Sequence, residues 1–172
     1  MKMELPKRKP TRLKNYDYSQ NGYYFVTICT HNKQKILCNI VESNALDLPS
    51  VVLSKIGEIA EQELLNVTSH YDNIKIEKYV IMPNHIHLII RITERMNPFP
   101  TQKYDISNVV GKFKAAVTRS VGNAFMHSER ANLWQKSFYD HIIRDETDYL
   151  TKWNYIDENP QKWFADEFYI EK

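Results

Sequence analysis

Two histidines in the middle of the chain, His85 and His87, have the residue type and spacing of a metal site. They stand two residues apart in a stretch typical of a β-strand, so both side chains project from the same face. Two neutral imidazoles at this separation can bind one divalent cation between them. Histidines on half-exposed strands that bind nothing have the same pattern. The pair alone therefore leaves a metal site and an ordinary strand surface as alternatives.

A second pair of residues, Tyr155 and Asn159, lies near the C-terminal end of the sequence. The two are four residues apart in a stretch predicted to be the last helix, so they share one helix face. An amide oxygen is an acceptable ligand for Mg²⁺ or Mn²⁺. A phenol one turn away could then lie near a phosphate that the metal holds. The alternative is that Tyr155, one of 11 tyrosines, is an ordinary packing residue.

The elements that must position these residues alternate between strand and helix patterns. Stretches rich in β-branched and aromatic residues predict strands at 23–30, 74–82, 85–92 and 138–144. Apolar spacing of three to four residues predicts a helix through Val52, Ile56, Ile59, Ala60 and Leu64, a second after Asp105, and a third from Asp145 to Pro160. This order predicts an α+β, ferredoxin-like antiparallel sheet with helices on one face and an extra C-terminal helix that carries Tyr155.

The predicted hairpin decides which way the histidines point. Pro83 and Asn84 suit a tight turn, because proline presets φ and asparagine tolerates unusual backbone angles. In the returning strand the residues that alternate with the histidines are apolar and should pack under the helices; they are Ile86, Leu88, Ile90 and Ile92. Both imidazoles are therefore predicted on the open face of the sheet. His141, in the last predicted strand, either lies near this site or is a satisfied sheet histidine, and the second interpretation is favoured.

The composition favours a single soluble domain over several other classes of protein. The chain has 172 residues, of which 42% are hydrophobic and 26% charged, and only 4 glycines. Neither GxGxxG nor GxxxxGK[ST] occurs, so the sequence does not support phosphate binding by a glycine-rich loop. Cys29 and Cys38 make neither a disulfide framework nor a CxxC metal motif. No signal peptide and no apolar run of roughly 20 residues is found, so a cytoplasmic location and no membrane contact are expected.

Positive charge is concentrated near the N-terminus and on the second helix, although the formal net charge is only +2. Residues 1–14 are predicted to form a basic arm, and residues 15–172 a single domain. Such an arm can follow a phosphate backbone or be a solvated tail. On the second helix three cations fall off the apolar row and should face solvent or a ligand. The residues predicted to bind DNA are Lys7, Arg8, Lys9, Arg12, Lys112, Lys114 and Arg119.

Several short motifs, in this order and spacing, resemble those of the REP-associated tyrosine transposases and the related single-tyrosine HUH transposases. Residues 82–88 (MPNHIHL) resemble the segment around the family's histidine pair, and residues 113–118 (FKAAVT) the helix that follows. Residues 133–135 (LWQ) with 139–144 (YDHIIR), and residues 155–160 (YIDENP), resemble two further family motifs. With Arg12 and residues 23–30, the resemblance extends from about residue 12 to residue 163.

The resemblance implies a function for each candidate residue. His85, His87 and Asn159 would bind Mg²⁺ or Mn²⁺, and Tyr155 would attack single-stranded or hairpin DNA to give a 5′-phosphotyrosine link and a free 3′-hydroxyl. No organic cofactor is implied. Gln161 departs from the family, in which Val or Leu is common after the Asn-Pro pair, so the resemblance does not carry over individual DNA contacts. A homodimer is compatible with the resemblance, with Tyr155 acting on its own metal site or on a partner's.

Three other functions remain as alternatives at this stage. A non-catalytic DNA-binding relative would keep the fold, but the intact set of His85, His87, Tyr155 and Asn159 argues against lost catalysis. A metallohydrolase that uses water would need further His, Asp or Glu ligands and would not need Tyr155. A small structural β-sheet protein would bind no metal. The function predicted is a metal-dependent, transposase-like enzyme that nicks and joins single-stranded DNA.

Overall fold

A computed structural model describes residues 16–41, 49–94, 104–125 and 132–170 of the chain. The predicted basic arm, with Lys7, Arg8, Lys9 and Arg12, lies outside these residues. The described part contains six strands: β1 (Gly22–Cys29), β2 (Cys38–Val41), β3 (Ser50–Leu53), β4 (Ile74–Met82), β5 (His85–Ile92) and β6 (Tyr139–Ile143). It also contains three α-helices, α1 (Lys55–His70), α2 (Ile106–Ala124) and α3 (Glu146–Glu158), and short 3-10 turns at His31–Lys33 and Trp163–Ala165.

Four of the strands form one sheet, in the order β4-β5-β1-β6. Every neighbouring pair is antiparallel, and β5 and β1 lie at the centre. The two helical connections run from β1 towards β4 through α1, and from β5 to β6 through α2. This topology confirms the predicted ferredoxin-like α+β fold.

Polar side chains begin the three helices, as the sequence predicts for two of them. The carboxylates of Asp105 and Asp145 accept hydrogen bonds from backbone N–H groups three residues further on, at 2.7 and 2.9 Å. Ser54 does the same for α1, at 3.1 Å from the Gly57 nitrogen. The prediction that Val52 belongs to α1 is therefore wrong. Val52 lies in β3, which pairs with β2 in a separate two-stranded sheet that the sequence analysis missed.

One face of the main sheet packs against α1 and α2. The alternate residues of β5 that were predicted to face the helices are all buried in this core, and so is the apolar row of α2, which comprises Val109, Phe113, Val117 and Val121. Burial of these branched and aromatic side chains is the main stabilising contribution to the domain.

The opposite face of the sheet is covered by α3 and by the segment after it. Ile156 of α3 packs against Ile89 and Ile143 in a second, smaller core. On this same face His85 is 0% exposed and His87 is 1% exposed. The prediction that the imidazoles lie on an open face is wrong, because the C-terminal helix packs on the sheet surface that the first two helices leave uncovered. None of the helices in the described ranges has the length and apolarity needed to span a membrane.

Candidate metal centre and nucleophile

The hairpin turn between β4 and β5 fixes the protonated nitrogen of His85. The Asn84 Nδ2 atom donates to the backbone oxygens of Phe168 and Lys33, at 2.8 and 3.3 Å. The Asn84 Oδ1 atom therefore faces the imidazole, 2.8 Å from His85 Nδ1. Because an amide oxygen only accepts, Nδ1 carries the hydrogen and Nε2 keeps its lone pair. Positive φ occurs elsewhere in the described chain but not at Asn84, so the turn needs asparagine for its amide and not for its backbone freedom.

His87 is held in a similar way by a residue of the neighbouring strand. The register of β1 and β5 places Thr27 opposite His87, with Oγ1 2.8 Å from Nδ1. The two imidazole centroids are 4.3 Å apart. Both Nε2 atoms are buried, and neither has a hydrogen-bond partner among the described residues. Leaving such atoms unpaired is costly, and two neutral imidazole nitrogens this close together are of the type that can bind a cation.

Asn159 and Asp166 complete this cluster. Asn159 is 2% exposed, and its Nδ2 atom donates to Asp166 Oδ2 at 2.8 Å. Its Oδ1 atom is buried and has no partner among the described residues. One ligand atom each from His85, His87 and Asp166 lies within 4.8 Å of the others, so this group could hold a metal ion.

Asp166 is the member of the site that the sequence analysis missed. It follows the 3-10 turn Trp163–Ala165, beyond the last periodic helix. Helical spacing relates residues within one helix, and it says nothing of a residue on the irregular segment that comes after. The only sequence signal is an acidic side chain shortly after the Asn159-Pro160 pair.

Tyr155 lies beside the same cluster. Its hydroxyl donates to Asp166 Oδ2 at 3.3 Å, and its ring packs edge-on against His87 and Phe25. A recess of about 290 Å³ opens beside it, lined by Tyr155, Asn159, Lys162, Ala165, Asp166 and Glu167. The four residues singled out by the sequence, His85, His87, Tyr155 and Asn159, thus come together in one place.

Burial sets the protonation of these side chains. It lowers the pKa of His85 to about 4, against the opposing effects of the Asp166 charge and the Asn159 amide. Burial, followed by repulsion from His85 when it is protonated and from the Lys152 ammonium, lowers the pKa of His87 well below its usual value. Burial, followed by the negative charges of Asp166 and Glu167, raises the pKa of Tyr155. At neutral pH the imidazoles are neutral and able to bind a cation, while the phenol is protonated.

The cations of α2 do not reach the histidine pair. Lys112 and Arg119 line a groove of about 750 Å³ between α1 and α2, on the other side of the sheet. The Lys112 ammonium lies 4.6 Å from the ring centroid of Tyr104. Lys114 does not face solvent or a ligand as expected. Its ammonium donates to the backbone oxygens of Gln135 and Ser137, at 2.9 and 2.8 Å, because the chain before β6 packs alongside α2.

His141 is satisfied within the fold. Its Nε2 atom lies 2.7 Å from the Asp148 carboxylate of α3. This contact agrees with the second of the two interpretations of His141.

Comparisons with known proteins identify the family. The family described as Transposase IS200 like matches residues 18–159. An uncharacterized protein of Haemophilus influenzae is 34% identical over 178 residues, which is 95% of this chain and 94% of that protein. A second protein of that organism, whose name assigns it provisionally to the REP-associated tyrosine transposases, is 23% identical, over 87% of this chain and 77% of its own.

A solved structure shares the fold. The structure of a REP-associated tyrosine transposase bound to a REP hairpin superposes with a TM-score of 0.60 at 22% sequence identity, covering 88% of this chain and 74% of the other. At this identity the likeness concerns the fold, and the family assignment depends on the sequence matches. Together with the histidine hairpin and the tyrosine helix, they show that the chain belongs to the IS200-like transposase family.

Proposed function

We propose that this protein is a metal-dependent enzyme that nicks and rejoins single-stranded DNA through a covalent link to Tyr155. The observation that carries the proposal is the convergence of a phenol, two imidazoles with free buried nitrogens and an unpaired amide oxygen in one cluster. These groups come from β5 and from α3 with Asn159, the residue that caps its C-terminal end. The two elements are distant in sequence, and the groups match the motifs of the transposase family in type and order.

The residues that would hold the metal are His85, His87 and Asn159, with Asp166 next to them. Nitrogen and hard oxygen donors together suit Mg²⁺ or Mn²⁺. A divalent cation bound here would neutralise the charge of a scissile phosphate and favour loss of the phenolic proton. Asn84 and Thr27 support the histidines by holding their Nδ1 atoms, so that both Nε2 atoms point into the site.

Tyr155 performs the covalent step. The phenolic oxygen bonds to phosphorus, the bond from phosphorus to the 3′-oxygen breaks, and the phenolic proton is balanced by the proton gained by the 3′-hydroxyl. The product is a 5′-phosphotyrosine. Because the new ester conserves the energy of the phosphodiester, a 3′-hydroxyl can attack it in turn and restore the DNA strand. The recess beside Tyr155 is open to solvent and contains Lys162, a cation suited to a phosphate.

Single-stranded or hairpin DNA is the proposed substrate. A phosphate of an unpaired strand can enter a narrow recess more easily than one in a stacked duplex. Support comes from the solved relative, which is bound to a REP hairpin. The cations of residues 1–14, with Lys112 and Arg119, are proposed to bind the DNA backbone.

The proposal is tested by incubating the full-length protein with a pool of single-stranded hairpin DNAs and Mn²⁺. We expect a protein–DNA adduct on denaturing gels, mapped by mass spectrometry to Tyr155 and absent without metal. DNA cleavage that leaves no adduct and persists in Tyr155→Phe would instead indicate hydrolysis by water. An absence of both adduct and cleavage, despite DNA binding, would indicate a non-catalytic member of the family.

A further inference from the structure

We propose that Asp166 is a positioning residue, which orients the amide of Asn159 towards the histidine pair and anchors the hydroxyl of Tyr155. The inference rests on the proposed function and adds a residue outside the motifs that define the family resemblance. Asp166 lies on the segment after α3, seven residues beyond Asn159.

The orientation of the Asn159 amide depends on Asp166. A side-chain amide can rotate by half a turn, which exchanges its oxygen, a metal ligand, for an NH₂ group, which cannot bind a metal. A carboxylate only accepts hydrogen bonds, so the NH₂ group must face Asp166 Oδ2, 2.8 Å away. The amide oxygen is then the atom left for the histidines, and it is buried without another partner among the described residues.

The same carboxylate oxygen also holds Tyr155. The phenol donates to Asp166 Oδ2 at 3.3 Å. One atom therefore joins the candidate metal ligand to the candidate nucleophile, and the two side chains keep a fixed relationship. Such a relationship matters for catalysis, because a misplacement of about 1 Å can cost on the order of 100-fold in rate.

Asp166 is itself held in place by the backbone around it. Its other oxygen, Oδ1, accepts from the Phe168 nitrogen at 2.7 Å, and its own nitrogen donates to the Trp163 oxygen at 3.1 Å. Both aromatic side chains are buried, at 4% exposed for Trp163 and 8% for Phe168. The carboxylate can therefore impose an orientation on Asn159 instead of following it.

A rival role for Asp166 is that of an independent metal ligand, since its carboxylate lies within 4.8 Å of the histidine nitrogens. The two roles differ in how Asp166 depends on Asn159. A positioning residue acts through the amide, so its removal has no further effect once the amide is gone. A direct ligand contributes whether or not Asn159 is present. A double-mutant cycle separates these cases.

The experiment is calorimetric titration of Mn²⁺ into the full-length protein and into Asn159→Ala, Asp166→Ala and the double variant. Loss of a supporting partner typically weakens metal affinity by 10–100-fold, so we expect a loss of about that size in Asp166→Ala. The double variant should bind no more weakly than Asn159→Ala. Additive losses, or wild-type affinity in either single variant, would overturn the proposal. Asp72→Ala is the matched control, because Asp72 is an exposed carboxylate in the turn before β4, at the end of the β4–β5 pair away from the histidines, and it should bind Mn²⁺ like the wild type.

Two further measurements keep the test decisive. Circular dichroism melting reports whether Asp166→Ala folds. If Asp166→Ala does not fold, Asp166→Asn is used instead. The amide oxygen of the new asparagine can still accept the hydrogen bond from the Phe168 nitrogen, while its NH₂ group faces Asn159. That NH₂ group should turn the Asn159 amide over, with the same loss of Mn²⁺ affinity. Failure of the proposed function is recognised separately. In that case the four Mn²⁺ titrations give the expected affinities, but the wild-type protein forms no DNA adduct.

Discussion

The ring of Tyr155 lies edge-on against the imidazole of His87, with centroids 5.1 Å apart and an angle of 68° between the planes. The contact exists because Ile156, the next residue of α3, packs into the small core formed by Ile89 and Ile143. The burial of Ile156 thus fixes the rotation of α3 about its own axis, and in this rotation the Tyr155 ring faces the side of the sheet that carries His87.

Replacing Tyr155 by phenylalanine should abolish the DNA adduct while the fold and the Mn²⁺ affinity are kept. The variant retains the ring that packs on His87 and Phe25 and loses only the hydroxyl. The measurements are adduct formation on denaturing gels, Mn²⁺ titration and thermal melting. Tyr149→Phe, a change on the same helix, is the control and should form the adduct normally. Adduct in the Tyr155→Phe protein would mean that another side chain is the nucleophile.

Replacing Asn84 by alanine should weaken Mn²⁺ binding by about 10–100-fold, because the His85 Nδ1–H group loses its acceptor. The change also leaves the backbone oxygens of Phe168 and Lys33 without their donor, which should cost about 1–3 kcal/mol in unfolding free energy. Nitrogen NMR of the histidine side chains can check the cause. In the wild type His85 should be a single tautomer with its hydrogen on Nδ1, and in the variant the two neutral tautomers should exchange.

Thr27→Val provides the matched comparison for Asn84→Ala. It removes the partner of His87 Nδ1 and leaves the contact between Asn84 and His85 intact. Only the His87 signals should then change. A His85 that keeps its Nδ1 hydrogen in Asn84→Ala would contradict the proposed role of the turn.

The sequence predicted the parts of the site that lie within regular elements. His85 and His87 share a strand face, and Tyr155 and Asn159 share a helix face, because two- and four-residue spacings have fixed directions in those elements. Spacing could not say that α3 would cover the histidine face, since that depends on packing between elements far apart in the chain. The imidazoles, expected to be open, are buried for this reason.

Asp166 and Lys114 illustrate a second limit of sequence reasoning. Asp166 lies on an irregular segment, where no periodicity relates it to the residues that it contacts. Lys114 has the helical position of an exposed cation, but two backbone oxygens of the segment before β6 accept its hydrogen bonds. The position of the segment that carries Asp166, and the positions of the backbone oxygens that Lys114 contacts, depend on how the whole chain folds. Residue type and spacing do not determine them.

Lys114 should make stability depend on pH in the alkaline range. Burial lowers its pKa from 10.5 to about 8. Between these values the unfolded chain binds more protons than the folded one, so stability rises with pH. The neutral amine still has two N–H groups for the oxygens of Gln135 and Ser137. From pH 7 to 9.5 the wild type should gain about 1 kcal/mol relative to Lys114→Met, allowing for solvent screening. Urea unfolding of both proteins at the two pH values measures the change in unfolding free energy. The prediction would be contradicted if the wild type gained no more stability than Lys114→Met, or lost stability relative to it.

Removing the two groove cations together, in Lys112→Ala/Arg119→Ala, should weaken binding of single-stranded DNA to a similar degree for different sequences. Each phosphate contact contributes about 0.7 to the slope of log affinity against log salt concentration for single strands, so the slope should fall by roughly 1.4.

Lys114→Met should leave this slope unchanged, because the Lys114 ammonium binds backbone oxygens within the fold. Lys55→Ala, which removes an exposed cation of α1 paired with Glu58, controls for net charge. Fluorescence anisotropy over a range of salt concentrations gives the slopes. If the double variant keeps the wild-type slope, the DNA backbone does not cross the helical side of the sheet, and the phosphate contacts must come from other cations of the chain.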